Sequence, residues 1–219
     1  MGKAINLLRN YPKSKRNLKK RAQIKSQKIR SIARKFGKHF FDGDRKYGYG
    51  GFNYNPKYWK SVILDLKKYW KLNSKSSVLD VGCGKGFFLY DLKKKIPNIR
   101  IAGLDISKYA IKNGKKEVKK FLKVGSADKL PFKDNSFDYV ISINTIHNLP
   151  QKKCEKALLE INRVTKKKSF VTVDAYRNNR ERERMYDWNL TAKTILSVKN
   201  WKKIFKKNKF KGDYYWFIP

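Results

Sequence analysis

The stretch of this chain best suited to chemistry is Val78-Leu79-Asp80-Val81-Gly82-Cys83-Gly84-Lys85-Gly86-Phe87, an apolar run leading through alternate glycines into a helical pattern. Gly82 and Gly84 let backbone N–H groups approach a ligand with no Cβ in the way, and Gly86 opens the helix. Ligands of open α/β sheets sit at the carboxyl ends of the strands, which is where this turn lies. The spacing is G-x-G-x-G, because Phe87 stands where the dinucleotide pattern G-x-G-x-x-G needs its last glycine; that counts against a nicotinamide cofactor. Asp105 ends the run Ile101-Ala102-Gly103-Leu104, about 20 positions beyond the turn, where a carboxylate can accept from ribose hydroxyls. Ser107 is free to cap the following helix, so Asp105 is not needed for that task. Gly125-Ser126-Ala127-Asp128 brings a further carboxylate, which either accepts from the exocyclic amine of a base or serves a turn.

His147 follows a strongly apolar run and titrates near neutral pH, which makes it a candidate general base. A pocket-wall or helix-capping histidine beside Asn148 and Pro150 is the competing role, and the residues alone leave both open. Asn144 either bonds a substrate or turns the chain. Cys83 has no base partner in view and reads as a small packing residue. The clusters at 93–95 and 166–168 read as solvated element ends, and 177–184 as a mixed-charge solvent face.

These residues need a frame. Strand patterns at 78–81, 99–104, 121–125, 137–143, 169–175 and 214–218 alternate with helical patterns at 56–72, 87–95, 107–115, 151–164 and 201–207. Such alternation predicts an α/β domain whose parallel sheet is covered on both faces, here over residues 59–219. Residues 1–41 form a basic arm with no acidic residue, in which Leu18, Ala22, Ile29, Ala33, Phe36 and Phe40 recur at helical spacing, broken once at Lys25 and Ser26. One amphipathic helix over 15–37 is the expectation, packed on the domain or lying on a polyanion or membrane surface. Residues 42–58 alternate glycines with aromatics and read as a loop, either a lid carrying Asp44, Tyr47 and Tyr49 over the ligand or a structural wrap.

Lys and Arg number 55 against 17 Asp and Glu, a formal charge of +38. That excess suits a nucleic acid or anionic surface and equally suits a solvated lysine coat. Two cysteines exclude a disulfide framework or a multi-cysteine zinc site, so no metal is expected and a reducing, cytoplasmic setting is. No apolar run approaches the roughly 18 residues of a membrane span, nor is a secretory signal present at Met1–Asn10.

Asp80 to Gly86, Gly103-Leu104-Asp105-Ile106-Ser107, Gly125 to Phe132 and Asn135-Ser136-Phe137-Asp138-Tyr139-Val140-Ile141-Ser142, in that order and spacing, resemble the motifs of class I S-adenosylmethionine-dependent methyltransferases. Within the class the chain is most similar to the small-molecule "type 11" group, from about residue 59 to 217. The resemblance implies a Rossmann-like, doubly wound, seven-stranded sheet whose last strand runs antiparallel. It implies S-adenosylmethionine held by Asp80, Gly82, Cys83, Gly84, Gly86, Asp105, Ile106, Ala127 and Asp128: the glycine turn on the methionine part, Asp105 on the ribose, and Asp128 with the Ala127 backbone on the adenine. It also implies that the acceptor enters after the fourth strand, near Asn144 and His147. The Asn/Asp-Pro-Pro-aromatic signature of DNA amino-methyltransferases is absent there; Asn144-Thr145-Ile146-His147 stands in its place. A small-molecule acceptor is therefore the first expectation, and a nucleic acid bound through the basic arm the second. Loss of catalysis, leaving a binding protein, is a third and is disfavoured by the intact motifs. Oligomeric state is not legible in the sequence.

Overall fold

The computed structural model describes residues 1–13, 17–48 and 53–219. Seven strands form one sheet: β1 (Ser77–Val81), β2 (Arg100–Asp105), β3 (Leu122–Val124), β4 (Phe137–Ile143), β5 (Thr165–Tyr176), β6 (Leu196–Ser197) and β7 (Asp213–Phe217). The order is β3-β2-β1-β4-β5-β6, with β7 paired to β5 below β6. All five residues of β1 are buried, as befits a strand covered on both faces.

Helices α4 (Lys60–Trp70) and α5 (Phe87–Lys95) cover one face. Helices α7 (Gln151–Val164) and α9 (Val198–Lys207) cover the other. On α7, Cys154, Ala157, Leu158, Ile161 and Val164 fall on one stripe and are fully buried, a period that only a helix against a sheet explains. On the opposite face Trp70 stacks on Tyr139 at 4.9 Å, and Tyr139 Oη donates to the Trp70 carbonyl. The chain winds outward from β1 through β2 to β3, then returns to β4 on the other side of β1. This is the topological switch at which open sheets of this kind form their crevice.

Two expectations are corrected. The last strand is parallel, not antiparallel: Phe170 pairs with Asp213 and Asp174 with Phe217, so the partner numbers rise together. The cause is the connection. α9 carries the chain back along the sheet, and a strand reached by such a crossover enters in the direction of the one it left. The arm, in turn, is not one helix but three short ones, α1 (Leu18–Ile24), α2 (Gln27–Ala33) and α3 (Lys38–Asp42). Ser26 Oγ accepts from Ile29 N–H and starts a new helix where the apolar period lapses, and Gly37 precedes the third. Before them, residues 2–5 run alongside β7: Tyr214 N–H donates to the Lys3 carbonyl, and Ile5 N–H to the Tyr214 carbonyl.

Two further helices complete the frame, α6 (Lys108–Lys112) after β2 and α8 (Asn179–Trp188) after β5. The mixed-charge stretch read as a solvent face is largely α8, in which only Met185 is buried. Too few apolar residues mark its period. Its signal is instead a capping arrangement: Asn178 accepts from Glu181 N–H, and the Glu181 carboxylate accepts from Arg177 N–H.

Candidate functional site

At the end of β1 the backbone turns through left-handed conformations at Gly82 (φ 90°) and Gly84 (φ 52°). A Cβ on Gly82 would overlap the Thr145 side chain, so glycine there lets the segment after β4 close onto the turn. Gly84 N–H donates to Asp105 Oδ2 at 2.8 Å, and Ser107 N–H to Asp105 Oδ1 at 2.8 Å. The Asp105 carboxylate is thereby fixed across the mouth of β1 and β2 with a lone pair left on each oxygen. Burial raises its pKa against the two N–H groups that lower it. Asp80, also buried, is pushed up to about 8, first by burial and then by the negative charge of Asp105. Next to this pair Ile106 is 55% exposed, an apolar side chain open to solvent.

Beyond β3, Ala127 is buried and Asp128 accepts from Ser126 Oγ. Burial acts to raise the Asp128 pKa, but the Ser126 hydrogen bond and the Lys153 charge outweigh it and hold the group below the usual carboxylate range. The turn, Asp80, Asp105, Ile106, Ala127 and Asp128 therefore share the carboxyl end of β1, β2 and β3. Cys83 packs its sulfur over Gly103, and burial raises its thiol pKa, which suits packing rather than nucleophilic chemistry.

His147 lies elsewhere in the chemistry. It is 4% exposed; Nδ1 accepts from Asp174 N–H at 3.0 Å and Nε2 faces Asp174 Oδ2 at 3.7 Å. Asp174 Oδ2 also accepts from Asn189 Nδ2 at 3.1 Å. Burial lowers the His147 pKa against the raising effect of Asp174. Both ring nitrogens are thus turned to Asp174. Asn144 is exposed in a left-handed conformation (φ 50°), its Oδ1 accepting from Thr172 Oγ1 at 2.7 Å.

Of the loop residues, Asp44 caps its own turn by accepting from Lys46 N–H, and Tyr47 packs on His39; Tyr49 lies outside the described residues. Further on, Tyr54 Oη donates to the buried Asp91 at 2.5 Å and its ring meets Tyr90, so this end wraps onto α5. The residues that reach the glycine turn precede the loop or open it, and carried no signal beyond helical period. The Phe41 ring stands 3.3 Å from where a Gly84 Cβ would be. Asp42 pairs with buried Lys85 and accepts from Tyr109 Oη at 2.8 Å, while Ser107 Oγ donates to the Phe36 carbonyl at 2.5 Å. Phe36, Phe40 and Phe41 contact one another in sequence at about 5 Å. The arm thus lays the Phe41 ring, backed by Phe40 and then Phe36, against the glycine turn.

Four of its cations point inward. Arg21 donates to the Trp188 carbonyl, Lys25 to those of Tyr186, Asp187 and Asn189, Arg30 to Asn189, and Arg34 to Thr191 and Ala192. These are the carbonyls of the last turn of α8 and the segment after it, which a helix end leaves without partners. Packing on the domain is what this face of the arm does.

Known proteins share this arrangement. The sequence profile of a methyltransferase domain family matches residues 72–209. A demethylmenaquinone methyltransferase of Staphylococcus carnosus is 34% identical over 115 residues, 50% of this chain and 46% of that one. The chain therefore spans about half the length of the curated relatives it matches. Among solved structures, the YcgJ protein of Bacillus subtilis superposes with a TM-score of 0.55 at 19% identity, over 67% of this chain and 66% of that one. A Haloferax volcanii methyltransferase in complex with the activator Trm112 gives 0.54 at 24% identity, over 65% and 66%. Both show likeness of fold.

Proposed function

Since the chain belongs to the methyltransferase domain family, whose class I members use S-adenosylmethionine, we propose that it methylates a small apolar acceptor carrying a planar ring, a quinol being the first to try. The observation that carries the reading is aromatic: Phe41 stands against Gly84 with Phe40 and then Phe36 packed behind it, while the arm's Arg21, Lys25, Arg30 and Arg34 are engaged by the carbonyls at the end of α8 and just after it. A ring-bearing acceptor would meet the Phe41 ring there, and the four cations that a phosphate backbone could have used are already engaged by carbonyls. The demethylmenaquinone methyltransferases among the relatives point the same way.

The residues present fit the cofactor. Gly82 and Gly84 put no Cβ in the way of the cofactor's methionine part, Asp105 has two spare lone pairs for ribose hydroxyls, and Ile106 is an exposed apolar side chain for adenine. Ala127 and Asp128 would border the adenine edge, and Asp80 would offset the cofactor's ammonium. When bound, the cofactor supplies a methyl group already activated on a sulfonium. The chain's own part is to align the acceptor for in-line displacement and to keep water out, and Phe41 and Phe36 do the latter. Asn144, at the end of β4, would orient the acceptor oxygen.

The test is to incubate the protein with methyl-labelled S-adenosylmethionine and cell extract, then separate nucleic acid, protein and solvent-extractable metabolites. Label is expected in the extractable fraction, and next in demethylmenaquinol supplied alone. Label confined to RNA would overturn the acceptor class.

A further inference from the structure

The loop between β3 and β4 carries Asp128 yet holds little structure of its own. Its internal backbone bonds are Lys129 N–H to the Ser126 carbonyl and Phe132 N–H to the Leu130 carbonyl. Its two ends are tied to β2, Gly125 N–H donating to the Asp105 carbonyl and Arg100 Nη2 to the Ser136 carbonyl, and its middle is held from α7. Arg163 Nε and Nη2 donate to the two oxygens of Glu160, each at 2.7 Å. Nη2 also donates to the Leu130 carbonyl at 3.0 Å, and Nη1 to the Phe132 carbonyl and to Asp134 Oδ1, both at 2.8 Å. A guanidinium has five N–H groups, and these bonds use them all. Glu160 Oε2 meanwhile accepts from Leu130 N–H at 2.7 Å, and Asn135 N–H donates to the Arg163 carbonyl at 2.9 Å. Asp128 lies near enough for its charge to act on Glu160.

We infer that Glu160 and Arg163 are positioning residues for the adenine side of the cofactor site: together they fix the loop of residues 128–135, and so set where Asp128 can accept from a purine 6-amino group. The inference rests on the cofactor reading above. A lysine cannot replace this arginine, because an ammonium has three donors on one point and no fork to span Glu160 and two carbonyls. Asp134 is the dispensable partner, its side chain being 71% exposed.

The experiment compares binding of S-adenosylhomocysteine with its hypoxanthine analogue, S-inosylhomocysteine, whose 6-oxo group cannot donate to Asp128. Wild type should prefer the adenine ligand by about tenfold or more, the usual size of one hydrogen bond to a charged acceptor. Arg163→Lys and Glu160→Gln should bring that ratio close to one, as Asp128→Asn should, and Asp128→Asn combined with Arg163→Lys should lose no more than either alone. Asp134→Asn should keep the wild-type ratio. A general loss of stability lowers the melting temperature and leaves the ratio alone, so variants that melt early yet retain the preference would overturn the positioning role. A wild type that binds both ligands equally would overturn it too, through Asp128. A wild type that binds neither would overturn the cofactor reading itself.

Discussion

Asp80 and Asp105 place two carboxylates in one buried corner, and their environment decides how each behaves. Asp80, at about 8 against a free value of 3.8, holds a proton at neutral pH. A cationic ligand favours its ionised form, so binding of S-adenosylmethionine should release close to one proton at pH 7. Affinity should then rise with pH up to about 8 and level off. Calorimetry in buffers of different ionisation enthalpy reads the proton directly; a slope of zero would remove Asp80 from the ammonium. The sign for stability is the reverse. Between 3.8 and about 8 the native state keeps a proton that the unfolded state has lost, so the ligand-free protein becomes less stable as pH rises through that window. Asp105→Ala should weaken cofactor binding by about 1.5–3 kcal/mol, as loss of a charged acceptor does, and an unchanged dissociation constant would end its ribose assignment. For His147, buried against Asp174, alanine leaves a cavity and an unpaired Asp174 N–H. His147→Ala should cost about 2–4 kcal/mol of stability on denaturant unfolding while single-turnover rates of the folded fraction hold. A large rate loss in a protein of normal stability would restore His147 as the base.

Elements were legible where burial writes a period. The strand at 137–143 and the helix at 151–164 have the observed limits because Val140, Ile141, Leu158 and Ile161 are fully buried and must recur at fixed spacing. The glycine turn and Asp105 were legible because φ above zero and a buried carboxylate restrict residue type severely. Direction and docking leave no such trace. Tyr214-Tyr215-Trp216-Phe217 reads the same parallel or antiparallel, and only the path of α9 decides. That Phe41 meets Gly84, or that Lys25 faces three carbonyls, depends on contacts between distant segments. The Lys25 contact makes the arm a cap on α8. Lys25→Met keeps the apolar stem but strands those carbonyls, and should cost about 1–3 kcal/mol with faster proteolytic cleavage within residues 18–35. An arm cleaved at the wild-type rate would mean the aromatic contacts alone hold it.

For the molecule as a whole the dominant fact is charge, with 55 cationic side chains against 17 anionic ones. Some of the cations have defined work: Lys85 on Asp42, Lys207 on Glu155, Arg163 on Glu160 and Asp134, Arg34 on the carbonyls after α8. The acids are too few to pair the remainder, which repel one another across the surface, and compaction brings them closer than the unfolded chain does. Added salt screens exposed charges within about 10 Å at 0.1 M and hardly touches partly buried pairs such as Lys85–Asp42. The folded state should therefore gain from salt, its melting temperature rising by several degrees between about 20 and 300 mM NaCl. Binding of S-adenosylhomocysteine, which we propose rests on Asp105 and the turn, should change little over the same range. Any adherence of RNA to the lysine coat should fall steeply, since its strength comes from counterion release. A melting temperature that drops with salt would mean that the ion pairs outweigh the repulsion. An RNA affinity that survives 300 mM NaCl would mean the coat forms a specific surface, and the arm's outward lysines would be the first place to look.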